Sequence, residues 1–170
     1  MNNNHNQTPN DYANKLMAVF RHVKSLYPQL DLIEISYDGC GDSGQVQRAS
    51  FYDPGHRLTL PRPNGLERTE IDVDDTQLLP TAIYCERDRQ WDTTSHQMVD
   101  LGPTKCTIGQ ALDSLGWDLP YSLDPGFEIN DGAYGEISVR QQPEDDGYSV
   151  SIEVNHNERF TDVTSHLYTF

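Results

Sequence analysis

Three stretches of this chain alternate apolar and polar residues one by one, and this pattern limits the fold more than any other feature. In Leu32–Asp38, Ile33, Ile35 and Tyr37 fall on one side, with Glu34, Ser36 and Asp38 on the other. Ile137 and Val139 alternate with Glu136, Ser138 and Arg140; Val150, Ile152 and Val154 alternate with Ser149, Ser151, Glu153 and Asn155. Successive strand side chains point to opposite faces, so a period of two marks strands with one buried and one wet face. Gly39-Cys40-Gly41-Asp42-Ser43-Gly44 supplies turn chemistry before a second strand at Gln45–Phe51, and Glu144-Asp145-Asp146-Gly147 separates the two later runs. The alternation therefore predicts two β-hairpins.

Two segments carry helical spacing instead. Thr8 or Asn10 can cap the first, Pro9 suits its opening turn, and Tyr12, Leu16, Val19, Phe20, Val23, Leu26 and Tyr27 recur every three or four residues up to Pro28. Lys15, Arg21 and Lys24 take its other face. Thr107 and Gln110 have capping-box spacing, with Ile108, Ala111, Leu112, Leu115 and Leu119 forming an apolar face that is expected to end at Pro120. The expected fold class is α+β: an antiparallel β-sheet built from two hairpins, with two helices packed on one face. Asn130-Asp131-Gly132-Ala133-Tyr134-Gly135-Glu136 joins the second helix to the second hairpin. Gly132 and Gly135 fit a turn there, Asp131 bonds the following backbone, and Tyr134 is expected to anchor the turn to the second helix.

The rest is polar. Residues 1–8 form a tail expected to be disordered, since Asn and Gln bury nothing that offsets ordering. Residues 9–170 are expected to form one α+β domain with a polar, Pro-rich insertion at about 52–105. Within that insertion, Leu58-Thr59-Leu60, Thr69–Val73 and Thr81–Glu86 are candidate short strands, because a structureless loop of this length is unusual. The tail after Asn157 has no clear period and is expected to pack as a short helix or strand.

Hydrophobic residues make up 35% of the 170, below the usual range, and Asp and Glu number 27 against 12 Lys and Arg, a formal charge of −15. That balance argues against direct nucleic-acid binding and against an anionic membrane; it suits a basic protein surface. No apolar run is long enough to span a bilayer. Three cysteines and no signal-peptide pattern point to a reducing, cytoplasmic setting. Oligomeric state is not readable.

No established catalytic motif is present. Counting from Asp38 puts Cys40 third, Ser43 sixth and Ala49 twelfth, which breaks the calcium-loop pattern. Cys85, Cys106 and the histidines at 56, 96, 156 and 166 lack zinc-ligand spacing, and there is no phosphate-binding glycine loop. The reading assigns no catalytic residue, no metal and no cofactor. Carboxylates on the wet face of the sheet (Glu34, Asp38, Glu136 and Glu153), in the two Gly-rich turns (Asp42 and Asp131) and on loops (Asp72, Asp74, Asp75, Glu144, Asp145 and Asp146) can instead imitate phosphates and occupy a basic groove.

Ile33-Glu34-Ile35-Ser36-Tyr37-Asp38-Gly39-Cys40-Gly41-Asp42-Ser43-Gly44, Asn130-Asp131-Gly132-Ala133-Tyr134-Gly135-Glu136 and Asn155-His156-Asn157-Glu158-Arg159-Phe160-Thr161 together resemble an uncharacterised domain family seen in bacteria and on their plasmids and phages. The resemblance covers about half the chain. It implies a small α+β domain and a mobile-element setting, where accessory proteins often act against host defences. The functional expectation is an acidic, non-enzymatic binding protein, an inhibitor of anti-CRISPR or anti-restriction type that occupies a basic nucleic-acid-binding surface. The alternative is a small metal-dependent or carboxylate-using enzyme centred on Asp38, Asp131, Glu136 and Glu153.

Overall fold

Where the sequence alternates, the chain forms antiparallel strands, and where apolar residues recur every three to four positions it forms helices. In chain order the elements are α1 (Pro9–Leu26), β1 (Leu32–Cys40), β2 (Ser43–Tyr52), β3 (Cys85–Asp92), β4 (Gln97–Lys105), α2 (Ile108–Leu123), β5 (Ala133–Gln141), β6 (Tyr148–His156) and β7 (Val163–Thr169). This computed structural model describes residues 7–40, 43–53, 69–125, 132–141, 147–156 and 163–169. Residues 1–6 of the predicted tail 1–8, the candidate strand Leu58–Leu60 and Asn130-Asp131 of the corner lie outside them.

The fold is α+β, as the alternation requires. Five strands form one antiparallel sheet in the order β2-β1-β5-β6-β7, so the two hairpins meet along the β1–β5 seam. Its register lines up the apolar positions: Ile33 lies between Phe51 and Val139, Ile35 between Ala49 and Ile137, and Ile137 in turn faces Ile152. Ile33, Ile35, Ile137, Val139 and Val150 are fully buried. The helices pack on this face, α2 over β1 and β2, α1 over β5 and β6, and also touch each other. Burial of each such aliphatic side chain contributes about 1.5–3 kcal/mol. The tail resolves into β7, an edge strand beside β6.

Both helices start at capping boxes. The Thr8 N–H donates to the Asp11 carboxylate at 2.7 Å while the Thr8 hydroxyl accepts from the Asp11 N–H at 3.4 Å. Thr107 and Gln110 do the same for α2 at 2.9 and 3.2 Å. On α1 the buried stripe is Tyr12, Ala13, Leu16, Met17, Val19, Phe20 and Val23, whereas Leu26, expected on it, is exposed at the helix end. The α2 helix does not stop at Pro120 but runs to Leu123. So close to the end, proline forfeits one bond to the carbonyl of Gly116, and buried Leu119 and Pro120 hold the last turn on the core.

Two glycines mark close approaches of α2 to the first hairpin. A Cβ on Gly116 would lie 2.8 Å from Ile35 Cγ2 and 2.9 Å from Val46 Cγ2, and one on Gly44 would lie 2.3 Å from the Trp117 ring. Only glycine lets the indole lie on the strand that follows the Gly-rich turn. In the corner, Gly132 has φ 76°, as a turn glycine should. Gly135 does not belong to a turn; it sits within β5, opposite Tyr37. Tyr134 does not anchor α2, because its register places it opposite Asp38 on the face away from the helices, 45% exposed. The alternation of β5 begins at Ala133 and sends its even-numbered residues outward.

The region between β2 and α2 contains two structures. Residues 69–79 form a strap. Thr69–Val73 is not a strand, but it joins the β2 edge through a Tyr52–Glu70 bridge and an Ile71 N–H bond to the Phe51 carbonyl at 2.9 Å. The strap then crosses the start of α2, where the Gly109 N–H donates to the Asp75 carbonyl at 2.8 Å. Thr81–Glu86 is mostly a turn over 81–83, with β3 starting only at Cys85. Strands β3 and β4 make a separate two-stranded arm, exposed along most of its length. Among the described residues no helix is long and apolar enough to cross a membrane.

Candidate functional site

The outward positions of the sheet form rows set by the register. Ser36 lies beside Glu136, which lies beside Glu153; Glu34 lies beside Ser138, and Asp38 beside Tyr134. Glu34, Glu136 and Asp38 therefore zigzag between β1 and β5, each diagonal to the next, a separation of about 7–8 Å between strand neighbours of this kind. They are brought onto one face without being brought together. Asp38 accepts from Gln47 Nε2 at 3.0 Å, and Ser138 donates to Glu136 at 3.2 Å. The face is not uniformly wet: Ser50, Ser138 and Ser149 are buried, short hydroxyl side chains sunk between longer ones. Of Glu153 the register gives the position, opposite Glu136. Asp42, Asp131, Glu144, Asp145 and Asp146 lie outside the described residues.

The strap presents a second set. Ile71 and Val73 turn toward the core while Asp72 and Asp74 point outward, followed by exposed Asp75. Hydrogen bonds from the Thr76 hydroxyl and N–H lower the Asp74 pKa, fixing a local turn. Asp75 lies against the first turn of α2, where its carboxylate would meet a Cβ on Gly109 at 3.2 Å. There it faces the positive end of the helix dipole. One turn on is Asp113, whose pKa is raised by burial and then by the nearby Asp75 charge.

This acidic line continues where the arm meets α2. A cleft of about 230 Å³ opens there, lined by Glu86, Thr104, Lys105, Cys106, Gln110, Asp113 and Ser114. The Ser114 hydroxyl donates to Glu86 beside the buried Tyr84 phenol, whose pKa is pushed up by burial. Burial also raises the Asp118 carboxyl, with Lys15 opposing and Glu86 adding to the shift. Burial likewise pushes up the Cys106 thiol, which makes it a poor nucleophile. The lining holds no histidine to activate Ser114.

From Asp72 to Glu86 the acids thus form a ledge along strap, α2 and arm. Sequence reasoning singled out Asp72, Asp74 and Asp75 but not Glu86, Asp113 or Asp118. The signal was present for two of them, since Asp113 and Asp118 fall outside the apolar set of α2. Glu86 depended on the arm. Among the described residues no group of three or more His, Cys, Asp or Glu side chains is placed to hold a metal ion.

These features can be set beside known proteins. The model of a family of unknown function, DUF6878, matches residues 12–170. The chain belongs to that family. The matched span takes in the strap and the arm as well as the sheet and both helices. No curated protein and no solved structure matches the chain.

Proposed function

We propose that this chain is an acidic binding protein that occupies a basic, nucleic-acid-binding surface of another protein, acting as an anti-defence inhibitor of anti-CRISPR or anti-restriction type. The observation that carries this reading is the ledge: Asp72, Asp74 and Asp75 project outward in succession along the strap and lead to Asp113 and Glu86, which line the cleft beyond it. Carboxylates spread this way draw a cationic groove by the long-range attraction that phosphates exert, and association by this route weakens as salt rises. The sheet-face acids Glu34, Asp38 and Glu136 extend the negative field around the molecule.

The test is binding to a panel of purified restriction and CRISPR nucleases, read by biolayer interferometry with their DNA or RNA as competitor. One or more should bind in a salt-sensitive way and release the protein when nucleic acid is added. The triple variant Asp72→Asn, Asp74→Asn, Asp75→Asn should weaken that binding at least tenfold. Uniform absence of binding at low salt, or equal affinity of the triple variant, would sink the proposal.

A second reading, a carboxylate-using or metal-dependent enzyme centred on Asp38, Asp131, Glu136 and Glu153, draws on one observation. Glu136 and Glu153 lie directly opposite on adjacent strands, where like charges disfavour each other unless a proton or cation intervenes. A melting temperature raised by a divalent cation in wild type but not in Glu136→Gln would favour it.

A further inference from the structure

A two-stranded hairpin standing alone is marginal in water, and this one also exposes large apolar side chains. Trp91 is 53% exposed, Met98 55% and Leu101 55%. Trp91 and Met98 are direct cross-strand partners near the tip. The register also sorts the arm's charges. With Trp91 and Met98 go Arg87, Arg89, Asp100 and Lys105, whereas Glu86, Asp88 and Asp92 take the other side. The Arg87–Asp100 pair at 2.8 Å joins two residues of the first side and confirms the sorting across the bulge between Asp88 and Arg89. One side is thus aromatic and cationic, in a chain of formal charge −15; the other prolongs the acidic ledge.

Arg, Trp and Met are the side chains enriched where proteins bind one another. A cationic aromatic face calls for an acidic surface with exposed apolar groups, and one end of the outward side of the sheet offers it: Arg48 on that side pairs with Glu70 and Arg140 lies at the far end opposite Leu32, while Asp38 and Glu136 flank Tyr134. There Asp38 lies beside exposed Tyr134, and Leu167 of the edge strand β7 is 69% exposed in the row of Glu34. We infer that the arm of one copy docks on the outer sheet face of a second copy, reciprocally, forming a two-fold dimer. Arg89 meets Asp38, and Trp91 and Met98 cover Tyr134 beside it. Such an exchange uses the same two patches on both subunits and closes on itself. A head-on contact of two arms would instead bring like-charged faces together. The exchange leaves both acidic ledges open, so the dimer presents two of them.

Sedimentation velocity across a range of concentrations tests this on the full chain. Wild type should sediment with twice the chain mass at about 100 μM. The surface variant Trp91→Ala, Met98→Ala should be monomeric and still melt cooperatively, close to wild type diluted until it is monomeric, as should Arg89→Glu and Asp38→Arg singly. The combined variant Arg89→Glu, Asp38→Arg should recover the dimer by restoring opposite charges, a gain that mere unfolding would not produce. A wild type that stays monomeric overturns the inference. So does a dimer that survives Trp91→Ala, Met98→Ala or Asp38→Arg.

Discussion

Asp118 shows what a single side chain can contribute against its own fold. It is half-buried on α2, and burial raises its pKa more than the Lys15 charge lowers it. A carboxyl whose folded pKa lies above the unfolded value binds its proton more tightly in the folded chain, so stability falls as pH rises through that interval. Asp118→Asn keeps the shape and removes the buried charge. It should melt higher than wild type at pH 7, and the difference should vanish below about pH 3, where aspartate is neutral in both states. A lower melting temperature at pH 7 would mean that the attraction to Lys15 outweighs burial. Residues of this kind were only partly legible. Gly132 could be recognised from its Asp-Gly setting, but Gly44 and Gly116 owe their identity to Trp117, Ile35 and Val46, neighbours that no local pattern reveals.

At the scale of elements, the caps were readable because they are local. Thr107 and Gln110 close a hydrogen-bonded ring within four residues, and Thr107 also bridges to Leu78 of the strap. Thr107→Ala removes a side-chain acceptor from a backbone N–H at the start of α2 and should cost about 1 kcal/mol, measured by urea unfolding. Thr107→Ser should restore nearly all of it. Strands β1, β5 and β6 were legible for the same reason, since their alternation records a buried face. The arm left no such record. Its apolar residues are not buried, so they follow no period, and Pro103 reads as a break although β4 tolerates it in a ribbon two strands wide. Pro120 misled in the opposite sense, because its cost at a helix end is small enough for packing to override.

For the whole molecule, the excess of 15 negative charges acts on stability as well as on partners. The ion pairs Arg48–Glu70 and Arg87–Asp100 are both exposed and worth little against an imbalance of 27 acids to 12 bases. Self-repulsion should therefore dominate the response to salt. Raising ionic strength from about 0.01 M to about 0.15 M shortens the screening length from about 30 Å to about 8 Å. The melting temperature should rise by a few degrees, followed by calorimetry; a fall would show that specific ion pairs outweigh the overall field. The sheet order lay beyond any local reading, because nothing in either hairpin specifies that β1 pairs with β5.

That central seam also governs how the chain reaches its fold. Each hairpin closes a short stretch of chain and can form quickly by itself. The β1–β5 ladder joins them only after all of residues 41–132, carrying strap, arm and α2, has been drawn to one side. Closing so long a loop is entropically costly before its contacts reward it. The barrier to folding therefore sits in the middle of the sheet, and until it is crossed the inner edges of β1 and β5 stand open to pairing with the same edges of another chain.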